Sequence, residues 1–262
     1  MNNLNTLLEI AIKASIDAGD AMMKVYSEID FGIEIKADKS LVTKADKIAH
    51  EIIDNYLKTT NIPVLSEEGA SIDYEIRKNW NQLWIVDPLD GTKEFINKNG
   101  EFTVNIALVE NQIPILGVVY CPALHMLYYG SKESGSFKLT ISESLAYDLT
   151  ESVKLPLVNS YEVYTVVASR SHLSEETSQY IKDLENEHGK VDMISKGSSL
   201  KFCIVAEGLA QCYPRFAPTM EWDTAAGHAV CKYAGFIVMD WNTQKEKLYN
   251  NQNLLNNWFL VK

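Results

Sequence analysis

Leu83 to Phe95 reads LWIVDPLDGTKEF, four apolar residues running straight into a turn that carries two aspartates. An apolar run bounded by turn residues predicts a buried strand, so the carboxylates of Asp87 and Asp90 emerge where that strand leaves the core. Pro88 fixes its own φ and Gly91 permits a positive one. The three-residue spacing then lets Asp87, Asp90 and the Leu89 carbonyl point to one side. Oxygen ligands grouped in this way suit a hard cation such as Mg²⁺, and unbridged acids this close repel one another. Thr92 opens the next short helix. Its hydroxyl and the N–H groups of Gly91 and Thr92 lie where a phosphate sits against a helix amino terminus. The residues alone leave two readings open: metal-assisted phosphate chemistry, and a structural Ca²⁺ or Mg²⁺ turn.

Upstream, Leu4, Leu7, Leu8, Ala11, Ile12, Ile16, Met22, Met23 and Tyr26 recur at helical spacing and predict a first helix that ends after Val25. In VTKADKIAHEIIDNYL the same period returns, with Thr43 and Asp46 at capping-box spacing. Short strands follow around VLSEE, LWIVD, TVNIALVE, PILGVVY and HMLYYGS, separated by Gly, Pro or Asn. Residues 1–150 therefore read as helices packed on a mostly antiparallel sheet. The stretch from about Ser131 to Asn159 is polar and serine-rich, which predicts loop, edge strands and a boundary. Residues 151–262 change rhythm. VYTVVASRS, HLSEETSQYIKDLENE, SLKFCIVAEGL, AQCYPRF, WDTAAGHAVCKYAG and FIVMDW alternate strand and helix as α/β units do.

Bulk composition narrows the function. At 262 residues, 46% hydrophobic and 23% charged, the chain is an ordinary globular protein of one large domain or two smaller ones. Its start, MNNLNTLLEIAIKAS, lacks the basic opening and apolar block of a cleavable signal, and no window approaches a membrane span. The four cysteines, Cys121, Cys203, Cys212 and Cys231, form no CxxC pair and sit among apolar neighbours, which predicts buried thiols in a reducing cytoplasm. A net charge of −11 opposes binding to nucleic-acid polymers, since that needs a basic face. It does not oppose a small anion, because a carboxylate cluster holding divalent cations is locally positive.

Further acids fall at element ends: Asp46 in the first turn of the second helix, Glu67 and Glu68 after VLS, and Asp223 opening a helix. Asp46 and Asp223 are equally readable as helix caps, and Glu67 with Glu68 as a solvated pair.

The stretches LSEEG, WIVDPLDGT and WDTAAG together resemble the signatures of the inositol monophosphatase superfamily of Mg²⁺-dependent, Li⁺-sensitive phosphatases. SLVTKADKIAH, PILGVVYCP, SRSH and GSSLKFCIVAEGLAQCYPRFAPTMEWDTAAGHAV look like its 3'(2'),5'-bisphosphate nucleotidase branch. Similarity covers essentially the whole chain and is weakest between Ser131 and Asn159. The resemblance implies a layered αβαβα sandwich of the sugar-phosphatase type, with an antiparallel sheet in the first half and a mixed sheet in the second. It implies two or three Mg²⁺ ions on Glu67, Asp87, the Leu89 carbonyl, Asp90 and Asp223. Asp46 and Thr92 match the pair that positions and deprotonates the attacking water.

The substrate implied is a small nucleotide. Inositol monophosphatases usually carry an acid shortly before the WD motif, whereas this chain reads YPRF, with Arg215. An arginine fork suits a second phosphate, alongside Lys201 and Ser198 of GSSLKF. His172 of SRSH falls where the branch contacts its ligand; it is also readable as a helix cap, and Lys201 as a solvated lysine. Gly91, Thr92 and Asp223 complete the expected substrate contacts. The expected reaction is removal of the 3'-phosphate of adenosine 3',5'-bisphosphate, with 3'-phosphoadenylyl sulfate as second substrate, which clears a by-product of sulfate assimilation. The alternatives are an inositol monophosphatase or broad sugar phosphatase and, more remotely, a non-catalytic metal-binding scaffold. Monomer and homodimer both remain open, as does attachment to the inner face of a membrane.

Overall fold

A computed structural model describes residues 3–35, 41–158, 160–169 and 174–262. The elements run α1 (Leu4–Tyr26), β1 (Glu34–Ile35), β2 (Leu41–Val42), α2 (Lys44–Lys58), β3 (Val64–Ser66), α3 (Tyr74–Arg77), β4 (Gln82–Asp90), α4 (Thr92–Ile96), β5 (Thr103–Glu110) and β6 (Ile113–Cys121). They continue through β7 (Met126–Ser131), β8 (Gly135–Thr140), β9 (Val153–Lys154), β10 (Tyr164–Ser169), α5 (Glu175–His188), β11 (Val191–Lys196), α6 (Leu200–Ala206), β12 (Tyr213–Arg215), α7 (Ala225–Tyr233), β13 (Val238–Asp240) and β14 (Phe259–Val261).

The large sheet has seven strands in sequence order from β3 to β9, antiparallel except for the β3–β4 pair. Its middle strands are apolar on both faces because both are covered. Trp84, Val86, Val104 and Ile106 pack with the apolar stripes of α1 and α2, while Leu83, Ile85, Ala107 and Val109 pack with Phe202, Cys203, Ala226 and Val230 of α6 and α7. This two-sided burial accounts for the unbroken LWIV run. Beneath α6 and α7 lies a second, mixed sheet: β10 and β11 are parallel, β12, β14 and β13 antiparallel, and a parallel bridge from Val166 to Cys212 joins the groups. Helix α5 covers its outer side against β11 and β12. The layers are thus α, β, α, β, α, as the resemblance implied.

Gly117 sets the spacing of the middle layer. A Cβ there would lie 2.5 Å from the Ala226 carbonyl oxygen and 2.7 Å from Ala229 Cβ, so only glycine lets α7 approach β6 this closely. The polar stretch after Ser131 supplies β8 and, at the edge of the large sheet, β9. All four cysteines are free and buried. No described helix is long and apolar enough to cross a membrane. Four strands, β1, β2, β11 and β14, escape the sequence reading: β1 and β2 are two residues each, β11 is half-exposed without clean alternation, and β14 is three residues long.

Candidate active site

The DPLDGT turn is a break in strand register. Asp87 pairs with Asn105 and Asp90 with Thr103, so Pro88 and Leu89 together oppose Val104 alone. Such a bulge takes the Leu89 region out of the ladder and turns both aspartates toward one cleft. Asp87 accepts the Leu89 N–H on Oδ1 at 3.1 Å and is buried. Gly91 follows at φ +94°, where a side chain would be strained, and α4 begins at Thr92.

Asp90 is held by three donors, all on Oδ2: Ser198 Oγ at 2.6 Å, Ser199 Oγ at 3.0 Å and Asn105 Nδ2 at 3.4 Å. The Ser199 hydroxyl also lies 2.8 Å from the Asp223 backbone carbonyl, tying the loop before α6 to the loop before α7. Asp223 does not itself open a helix. It sits in the turn preceding α7, which starts at Ala225, and its Oδ2 accepts the Met220 N–H at 2.8 Å. Carboxylate oxygens of Asp87, Asp90 and Asp223 all lie within 4.8 Å of one another.

Glu67 leaves β3, its N–H bound to the Val86 carbonyl at 3.1 Å, and lines the same cleft as Asp87, Leu89, Thr92 and Asp223. Asp46 caps its helix and also reaches Thr92. Its Oδ2 accepts the Thr43 N–H at 2.7 Å and the Thr43 hydroxyl at 2.6 Å, completing the capping box, while its Oδ1 faces the Thr92 hydroxyl at 3.4 Å.

The electrostatics match an oxygen-lined cation site. Burial, and then the charges of Glu67, Asp90, Asp223 and Asp46, push the Asp87 carboxyl well above its usual range. Burial, then Asp90, pushes Asp223 up to about 8. Asp46 rises to about 6, by burial first, with the Glu68 charge adding to it. Protonation is the alternative when no cation bridges such groups, and an all-oxygen set of this kind fits Mg²⁺.

A second pocket opens from the same wall. Asp90, Gly91, Glu94 and Asp223 line both, and beyond them stand Ser198, Lys201 and Arg215. Lys201 is buried, contrary to the solvated reading, and desolvation lowers its pKa to about 8. Its Nζ donates to the Ser198 carbonyl at 2.6 Å and lies 3.4 Å from the Lys196 carbonyl, which leaves donor capacity for a ligand. Arg215 donates Nη2 to the Pro218 carbonyl at 3.1 Å, and its buried Nε has no partner among the described residues. His172 lies outside the described residues. The sequence reading missed Ser199, Glu94 and Asn105, of which Asn105 left a signal: a buried amide breaking the apolar pattern of β5.

Residues 3–258 match the model of the inositol monophosphatase family. The chain is 45% identical over 258 residues to the 3'(2'),5'-bisphosphate nucleotidase CysQ of Salmonella typhimurium, covering 97% of this chain and 99% of that protein. It is 44% identical over 258 residues to the Escherichia coli K12 protein of the same name, with the same coverage. The crystal structure of CysQ from Bacteroides thetaiotaomicron, a bacterial member of the inositol monophosphatase family, superposes with a TM-score of 0.89 at 48% identity, covering 98% of this chain and 97% of that one. A Thermotoga maritima IMPase shares the fold, with a TM-score of 0.76 at 23% identity over 98% of this chain and 92% of that one.

Proposed function

The chain belongs to the inositol monophosphatase family, and we propose that within it the protein is a Mg²⁺-dependent 3'-phosphatase of adenosine 3',5'-bisphosphate, releasing AMP and phosphate, with 3'-phosphoadenylyl sulfate as second substrate. The observation that carries this reading is the pairing of two zones along one wall. The carboxylates of Asp87, Asp90 and Asp223 cluster at one end of this wall, and Lys201 with Arg215 lines the pocket at the other. A substrate with two anionic groups engages both zones at once, whereas a sugar monophosphate uses only the first.

Glu67, Asp87, the Leu89 carbonyl, Asp90 and Asp223 would hold two or three Mg²⁺ ions, which when bound neutralise the phosphate, acidify water and stabilise the leaving oxygen. The remaining work falls to the chain. Gly91 and Thr92 present N–H groups to the scissile phosphate. The Thr92 hydroxyl takes the proton of the attacking water while its own proton moves to Asp46 Oδ1 across the 3.4 Å contact. The water oxygen bonds to phosphorus, the bond to the ribose 3' oxygen breaks, and that oxygen leaves with a proton from solvent. Glu67 helps to hold the water in line. Ser198, Lys201, Arg215 and His172 bind the second phosphate and the nucleotide.

The test is phosphate release from adenosine 3',5'-bisphosphate beside inositol 1-phosphate, with Mg²⁺ and then with added Li⁺. Strong nucleotide preference and inhibition by millimolar Li⁺ are expected. Arg215→Leu should lower kcat/KM on the nucleotide by about tenfold to a hundredfold, the worth of a charge-assisted hydrogen bond, with little change on inositol 1-phosphate. Equal loss on both would remove Arg215 from substrate selection, and preference for inositol 1-phosphate would overturn the nucleotidase reading.

A further inference from the structure

Glu94 is the acid of this cleft that the reaction above does not use. It stands on α4 two residues beyond Thr92, is half-buried, and lines both the carboxylate cleft and the cation-lined pocket. Two glycines make room for it: a Cβ on Gly197 would lie 2.9 Å from Glu94 Cγ, and one on Gly91 would lie 3.3 Å from Glu94 Oε2. The neighbouring acids are occupied. Asp90 accepts three hydrogen bonds, and Glu101 takes the Gly197 N–H at 2.8 Å and Lys196 Nζ at 3.2 Å. No hydrogen bond to the Glu94 carboxylate is found among the described residues, and its charge acts on Lys201.

A carboxylate with open acceptor oxygens on a wall that collects phosphates repels the substrate unless the substrate brings a donor. Its place beside Gly91 suggests which donor that is. Gly91 belongs to the end of the cleft that holds the scissile phosphate, so an acceptor beside Gly91 reaches the carbon next to the one carrying that phosphate. In a ribose 3'-phosphate this carbon bears the 2'-hydroxyl. We propose that Glu94 is a specificity-determining residue that accepts a hydrogen bond from the hydroxyl vicinal to the scissile phosphate, and so makes the enzyme favour ribonucleotides over 2'-deoxyribonucleotides. The inference rests on the nucleotidase reading. It differs from a role in which Glu94 merely balances the charge of Lys201, since that role would not distinguish the two sugars.

The experiment compares adenosine 3',5'-bisphosphate with its 2'-deoxy analogue on the wild type, Glu94→Met and Glu94→Gln, with the unfolding midpoint of each. The wild type should favour the ribonucleotide in kcat/KM by about tenfold to a hundredfold, the worth of a hydrogen bond to a charged group. Glu94→Met should abolish the preference between the two sugars, lowering the ribonucleotide that loses its acceptor and raising the deoxy substrate that the carboxylate repels. Glu94→Gln, which keeps a carbonyl acceptor, should fall between. Equal loss on both sugars in Glu94→Met, or a wild type indifferent to the hydroxyl, overturns the proposal. Should Glu94→Met unfold early, the ratio between sugars in Glu94→Gln decides. Hydrolysis of inositol 1-phosphate with neither nucleotide turned over defeats the nucleotidase reading, and the role of Glu94 with it.

Discussion

Asp223→Asn should make the metal-free protein more stable while weakening its hold on Mg²⁺. Burial, and then the Asp90 charge, raises the Asp223 carboxyl from 3.8 to about 8. The folded chain therefore keeps this proton up to about pH 8, whereas the unfolded chain releases it near pH 4. Between those values stability falls as pH rises, by about 1.4 kcal/mol per unit, or roughly 4 kcal/mol by pH 7. Asparagine cannot ionise, and its carbonyl can still accept the Met220 N–H that Asp223 now accepts at 2.8 Å. Water reaching the partly exposed carboxylate screens part of the penalty, and Asp87 takes up part of the relief, so we expect a gain of about 2 kcal/mol. For a chain of this size that corresponds to about 4–8 °C in unfolding midpoint. The assay is thermal unfolding in chelator from pH 4.5 to 8.5, repeated with excess Mg²⁺. With Mg²⁺ at a hundred times its Kd the wild type gains about 2.7 kcal/mol and the order reverses. A metal-free variant no more stable than wild type at pH 8, or two parallel pH profiles, would refute the reasoning.

Three other expectations follow from the same geometry. Asp46→Asn should lower kcat by about a hundredfold or more with KM little changed, since it removes the proton acceptor behind Thr92; it should also remove any acid limb of the kcat profile due to Asp46, which burial raises to about 6. Lys201, lowered to about 8 by desolvation, is charged below that pH, so KM for the nucleotide should rise as pH climbs above 8. Lys201→Met should raise KM at pH 7 by about tenfold to a hundredfold and flatten that rise, and an unchanged KM would deny it a phosphate. Gly117→Ala should destabilise by about 1–3 kcal/mol, because its Cβ would meet the Ala226 carbonyl oxygen at 2.5 Å; a midpoint within a degree of wild type would mean that α7 moves freely on β6.

The parts legible in the sequence are local. Proline, glycine and two aspartates three residues apart compel a turn with its oxygens on one side, and the register break between Asp87 and Asp90 is that turn in the folded chain. Thr43 and Asp46 announced a capping box that is present. The helices α1 and α2 on one face of the large sheet were readable from helical periodicity, whereas β11 and β14 were not, because half-exposed or three-residue strands carry too little pattern.

The sequence by itself therefore determined the local turn, the helix cap and the chemical character of each ligand, since backbone sterics and side-chain type act over a few residues. Only the tertiary structure decided that Asp90 and Asp223 share one cleft, that Asp46 stands behind Thr92, that Ser199 joins the loops before α6 and α7, and that Lys201 is buried rather than solvated. These facts depend on helices packed across a sheet from distant parts of the chain. No residue's near neighbours in sequence record which side of that packing it will face.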